Sequence, residues 1–163
     1  MGDPARERAL LEEIIRRAED ARASGRWIAR GPVERTIAMA KANVALLERD
    51  EERFDVARDL LREAIATFHI LGATMEVAIN LGRLANVLAL AGNGDTAARL
   101  MAKSDDLIEE LGIARSWWDR ERNEKTAEIL RTSLAADALD EATREGRRLT
   151  PDEAVALALE SLD

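Results

Sequence analysis

Apolar and polar positions between residues 45 and 72 return in the same order forty residues later: Ala45, Asp55, Ala57, Leu60, Leu71 and Gly72 recur as Ala85, Asp95, Ala97, Leu100, Leu111 and Gly112. A fixed period of about 20–50 residues marks a unit that cannot bury its own apolar face and must stack on a neighbour. Within each copy the spacing is helical. Ala97, Leu100, Met101, Leu107, Ile108 and Leu111 form a stripe at i, i+3, i+4 intervals, and Arg99, Lys103, Asp106 and Glu110 lie on the opposite face, which is therefore expected to be wet.

Punctuation divides the chain into helices. Gly25, Gly72, Gly92, Gly112 and Gly146 each follow an apolar-periodic segment, where a left-handed residue past the helix end is expected. Pro4, Pro32 and Pro151 follow Asp3, Gly31 and Thr150, in the order of an N-cap and a first-turn proline. Thr150-Pro151-Asp152-Glu153 reads as a capping box. These marks predict helices near 4–24, 33–50, 53–71, 75–91, 95–111, 115–132 and 134–145, with a short eighth at 151–161. The short links predict antiparallel neighbours.

Composition supports an all-α fold. Aromatic residues make up only 3% and tyrosine is absent, while 47% of the chain is apolar and 34% charged; β-structure would favour aromatic and β-branched residues. The net charge of −8 is not the footprint of a nucleic-acid binder, which needs a basic stripe. With no cysteine there is no disulfide or thiolate metal site. No apolar run approaches membrane-spanning length, and Met1-Gly2-Asp3-Pro4 lacks the basic and apolar regions of a signal peptide. A soluble cytoplasmic protein with no membrane or direct nucleic-acid partner is expected.

The forty-residue unit resembles a tetratricopeptide repeat. Leu81, Leu84, Ala85, Leu88, Gly92, Gly94, Ala97 and Met101 fall at the spacings of that motif's large, small and turn positions. Ala85 and Ala97 would be small where the helices cross. In the first copy, Phe54, Ala57, Leu61 and Ala64 fit the second helix, but an unshifted register places Lys41 and Glu48 at core positions. Two extra residues in the Glu48 to Arg53 turn would place Met39, Ala42 and Leu46 there instead, and that register is expected. The resemblance implies a tetratricopeptide-like antiparallel helix-pair solenoid of seven to eight helices. Residues 1–163 then form one domain: 4–32 the N-terminal helix and link, 33–112 two helix-pair repeats, and 113–163 the C-terminal helices and cap.

The segment from Gly146 to Leu159, with Glu153-Ala154-Val155-Ala156-Leu157-Ala158-Leu159 at its end, is similar to the close of the helical-repeat segment in bacterial STAND-type and LuxR-type ATP-dependent transcriptional regulators. Ala97-Ala98-Arg99-Leu100 followed by Glu109-Glu110-Leu111-Gly112 is similar to the last repeat of the same segment. Thr143 stands where those regulators often carry a tryptophan, so Trp117 or Trp118 is expected to pack under the last helix. A GxxxxGK[ST] phosphate loop and a helix-turn-helix are both missing, so neither ATP hydrolysis nor DNA binding carries over. The resemblance implies a non-enzymatic recognition module of a bacterial signalling regulator, excised from a larger chain or standing alone. Its partner would be a protein or peptide, or a small-molecule effector, with no cofactor.

Candidate chemistry is sparse. His69, near a helix end, reads as a surface or dipole partner. Asp50-Glu51-Glu52 and Asp105-Asp106 read as solvated faces or turns rather than a metal site, since no calcium-type loop accompanies them. Ser24, Ser104, Ser116 and Ser133 have no base at a predictable spacing. By motif register, Lys41 and Asn43 in the first repeat and Arg83 and Asn86 in the second lie on or beside a concave groove, where the cations would hold a carboxylate and the amides a peptide backbone. The alternative makes Arg83 a surface charge and Asn86 an inter-helix hydrogen bond. Trp27 falls in a link, and Trp117 and Trp118 point to different sides of one helix, so one of the pair is expected at an interface or exposed, with a homodimer as one outcome. Two other classes stay open: a structural oligomerisation module, and a small helical enzyme marked by clustered carboxylates of raised pKa.

Overall fold

Four turns set at twenty-residue intervals, with Glu52, Gly72, Gly92 and Gly112 in the left-handed region at φ 60°, 65°, 87° and 63°, organise the molecule. In each, the next residue's amide reaches five residues back into the preceding helix: Arg53 to Glu48 (2.9 Å), Ala73 to Phe68 (2.9 Å), Asn93 to Leu88 (2.8 Å) and Ile113 to Ile108 (3.1 Å). These are Schellman closures, which satisfy the orphan carbonyls of a helix end. Three use glycine; the first uses glutamate. A Cβ in this conformation costs about 1 kcal/mol, so Glu52→Gly is expected to raise stability by a few tenths to ~1 kcal/mol, read from chemical denaturation. A loss of stability would mean the Glu52 side chain contributes more than its backbone costs.

The computed structural model describes residues 3–24 and 30–160, and every regular element among them is helical. Eight helices follow in order: α1 (Pro4–Ala23), α2 (Arg30–Asp50), α3 (Phe54–Ile70), α4 (Thr74–Leu90), α5 (Gly94–Glu110), α6 (Trp117–Ser133), α7 (Ala136–Arg148) and α8 (Pro151–Leu159). The expectations placed on Gly25, Trp27 and the last residues of the chain lie outside the described residues. Asp3 caps α1 by accepting from the Ala5 and Arg6 amides at 3.0 and 3.4 Å. The capping box at Thr150 and Glu153 is present in full.

The helices group into two compact units, Met1–Ala73 and Thr74–Asp163. The first holds α1 to α3, with α2 packed against both others. Its register corrects one expectation. Ile37, Ala38, Ala42, Val44 and Ala45 are buried, at the same places as Val77, Ala78, Gly82, Leu84 and Ala85 of α4, whereas Met39 is 49% exposed. The forty-residue register is therefore unshifted, because Glu52 adopts the turn conformation that glycine adopts elsewhere and no extra residues are needed. Glu48 then sits at the place of Leu88 and is buried, 5% exposed. Arg8 of α1 and Arg53 hydrogen-bond its carboxylate, and both also pair with Glu51. These bonds hold the Glu48 carboxyl below its ordinary value, Arg53 having the largest effect, against burial, which pushes it up.

The second unit has α4 against α5, α6 and α8, and α5 also against α6, α7 and α8. Ala85 and Ala97 are fully buried, as the crossing of α4 and α5 requires. The face of α5 read as wet is covered in part, Glu110 staying exposed. Lys103 is buried, Arg99 pairs with Glu145 at 3.0 Å, and Arg147 lies 3.7 Å from Asp106, because α7 packs across that face with its charges matched. Gly146 makes this possible. It is no helix stop: it lies inside α7, and a Cβ there would meet the Arg99 carbonyl oxygen at 2.2 Å. The small helix α8 buries Ala154, Val155 and Ala158. Trp117 and Trp118, expected beneath it, are 59% and 57% exposed.

Candidate functional site

In the second unit the chain leaves α5 through the Gly112 turn, runs through Ile113 to Ser116 without regular structure, and enters α6. The short run stands off α4 and α5 and leaves a cleft of about 250 Å³ between the three. Ser116 fixes its mouth. The Ser116 hydroxyl accepts from the Asp119 amide at 3.2 Å as N-cap and donates to the Asp119 carboxylate at 2.6 Å. That carboxylate in turn receives Arg122 at 2.5 Å and lies 3.9 Å from Arg83 of α4.

A second polar chain closes the other side. Arg115 donates to Asp105 at 2.5 Å and to the Ser104 hydroxyl at 3.0 Å, while Ser104 donates to the Ala78 carbonyl at 2.8 Å. The Asn123 amide completes the link, its oxygen accepting from Arg115 at 3.0 Å and its nitrogen donating to the Asp119 carbonyl at 3.3 Å. Gly82 forms part of the wall, with Ser104 so close that a Cβ would meet its hydroxyl at 2.9 Å. The apolar wall is Met75 and Ile79 from α4, Ile108 from α5 and Ile113 from the link.

Electrostatically the cleft runs against the molecule. Arg83, Arg115 and Arg122 are largely buried, with side chains 18%, 17% and 12% exposed, Arg115 paired with Asp105 and both Arg83 and Arg122 set against Asp119, in a chain of net charge −8. Burial pushes the Asp119 carboxyl up, but Ser116, Arg122 and Arg83 together hold it below its ordinary value. It therefore stays ionised at neutral pH and anchors its arginines. Among the described residues, every carboxylate with a shifted pKa is shifted down, as with Glu48, Asp119 and Glu153; a catalytic acid needs the opposite shift. Among the same residues no helix is long and apolar enough to cross a membrane, and no group of three or more His, Asp or Glu side chains is placed to hold a metal ion.

Of the residues singled out in the sequence, Arg83 lines this cleft and Asn86 does not. Asn86 is buried, and its amide donates to the Thr126 hydroxyl at 2.9 Å, tying α4 to α6 as an inter-helix hydrogen bond. Lys41 and Asn43 belong to the first unit, both half-buried; the Lys41 ammonium pairs with Glu63 at 2.5 Å. Trp117 and Trp118 stand outside the cleft with ring centroids 4.9 Å apart. His69 is exposed in the last turn of α3. Arg115, Asp119 and Arg122 escaped the sequence reading. Ser116 followed three residues later by Asp119 is a helix-start signature, and the arginines flanking it were the available signal.

A second cleft of about 260 Å³ between α5, α6 and α7 is walled by Ala98, Met101, Leu130 and Leu139, and its rim carries Arg131 and Arg147 against Asp105 and Asp140. No protein-family model, curated protein or solved structure matches the chain.

Proposed function

We propose that the chain is a non-enzymatic recognition module of tetratricopeptide type, acting in the cytoplasm within a bacterial signalling or transcription regulator, and that it takes up its protein, peptide or small effector in the cleft between α4, α5 and α6. The observation that carries the reading is the cleft itself: three largely buried guanidinium groups beside an apolar wall, in an acidic chain with a net charge of −8. The helical-repeat reading is supported by the twenty-residue series of Schellman turns and by the packing order in the second unit, where α4 meets α5 and α6, and α5 meets α6 and α7. Two stacked helix hairpins pack in that order. The regulator reading is supported by the capped α8 that closes the unit.

A ligand held by Arg83 on α4 and by the α6 arginine would couple the spacing of the two helices to occupancy, favouring whichever packing binds better. Capture from cell lysate followed by mass spectrometry, with wild type and Arg83→Ala in parallel, tests the seat. A species enriched on wild type and reduced at least tenfold on the variant, at unchanged helical circular dichroism, is the expected result. Equal enrichment on both would remove the cleft from the function.

A further inference from the structure

We propose that α1 is a contact surface for a second copy of this chain, the two helices lying antiparallel with Leu10 and Ile14 of each packed on Ile14 and Leu10 of the other. This goes beyond the recognition reading, since α1 belongs to the first unit and the cleft to the second. With about 3.6 residues per turn, α1 carries two separate apolar lines. Leu11, Ile15 and Ala18, all half-buried, share a face with Arg8, which reaches Glu48 of α2. Leu10 and Ile14 stand beside that face at 58% and 42% exposed. Two aliphatic side chains one turn apart on a solvent-facing line are surface that a partner helix can cover.

The charges on the same line name the partner. Asp3, Glu7, Leu10, Ile14, Arg17 and Ala21 follow the alternating four- and three-residue spacing of a coiled-coil seam. Glu7 stands three residues before Leu10 and Arg17 three residues after Ile14, so the line is acidic at one end, apolar in the middle and basic at the other. Turned end for end on a second copy, Leu10 meets Ile14 and Glu7 meets Arg17, each pair occurring twice, as an isologous contact requires. Parallel alignment would set Glu7 against Glu7 and Arg17 against Arg17, which like-charge repulsion disfavours. Within the chain Arg17 meets Glu13 through Nε at 2.6 Å; with its side chain 75% exposed, a guanidinium of five N–H groups can address a second carboxylate as well. A charge pattern that matches its own reversal selects another α1 over an unrelated surface.

Sedimentation equilibrium of the full chain at neutral pH, from about 5 to about 500 µM, should show a monomer–dimer equilibrium with a dissociation constant on the order of 0.1 mM, as expected of so small a contact. Leu10→Gln with Ile14→Gln, at exposed sites and with a good helix former, should weaken it at least tenfold at unchanged helical circular dichroism. Glu7→Arg should weaken it at least threefold, and adding Arg17→Glu should restore it, because the exchanged charges again face each other. A chain that stays monomeric throughout overturns the proposal. So does a dimer that survives the double glutamine change, which would put the contact elsewhere. Failure of the charge exchange to restore the dimer also overturns it, since the antiparallel register is then wrong. The recognition reading is decided separately, by the Arg83-dependent capture.

Discussion

Gly146→Ala is expected to destabilise the protein by roughly 3 kcal/mol, lowering the midpoint of thermal unfolding by about 6–12 °C. Helix propensity argues for the opposite sign, since alanine inside a helix is favoured over glycine by about 1 kcal/mol. Packing decides. The added methyl would lie 2.2 Å from the Arg99 carbonyl oxygen and 2.7 Å from the Arg99 Cα, and backbone cannot swing aside as a side-chain tip can. α7 would have to lift off α5, opening the Arg99 to Glu145 pair and uncovering Lys103. Gly94→Ala is the control: its methyl would meet only the Leu134 side chain, at 3.1 Å, and should cost under ~1 kcal/mol. A neutral or stabilising Gly146→Ala would mean that α7 does not sit on α5 as described.

Glu48→Ala is the second large effect, with an expected cost of about 1–3 kcal/mol at neutral pH. The substitution leaves Arg8 and Arg53 without the carboxylate that both address, at a position otherwise 5% exposed. No side chain of α1 is fully buried, and the helix is held to α2 by half-buried Leu11 and Ile15, by the Arg22 to Glu34 pair and by Arg8 reaching Glu48 and Glu51. Hydrogen exchange in α1 should therefore accelerate in Glu48→Ala. Glu48→Leu, which installs the residue found at 88, should cost less than Glu48→Ala, because leucine restores apolar contact at that position while Arg8 and Arg53, 22% and 45% exposed, keep Glu51.

The pH dependence has a definite sign. Because the folded-state carboxyl of Glu48 lies below its ordinary value, its contribution is complete above that value and fades as pH falls through the lowered one. Glu48→Leu should flatten that part of the acid limb. A steeper limb in the leucine variant would contradict the assignment.

Most of the helical frame was legible because it is written in local signals. The glycines at 72, 92 and 112 and the capping box at Thr150 act on their own backbones, and the observed helix ends fall beside them. Helix α7 shows where local reading stops. Gly146 carries the same letter as the turn glycines, but its role is set by Arg99, nearly fifty residues away, so it reads as a stop while serving as a contact. The charged face of α5 misleads in part for the same reason: charges on α7 pair with Arg99 and Asp106 and cover Lys103 between them. The register of α2 is not legible locally, because burying Glu48 looks costly until Arg8, forty residues upstream, is brought to it.

The site was legible only in part. Arg83 could be placed by motif register, being on a regular helix. Arg115 and Ser116 lie in a stretch with no period, and their meeting with Ser104, Asp105 and Asp119 is a product of the turn after α5. Asn86 shared the register of Arg83 and still ended elsewhere, because α6 covers it and Thr126 accepts its amide.

Isoleucine methyl spectra recorded while the species enriched by the Arg83-dependent capture is added test the cleft most directly. The account predicts that the signals of Ile79, Ile108 and Ile113, which line it, move along one saturating curve, while those of Ile37 and Ile65 in the first unit stay still. Movement confined to isoleucines outside the cleft, or no movement of those three at saturation, would contradict it.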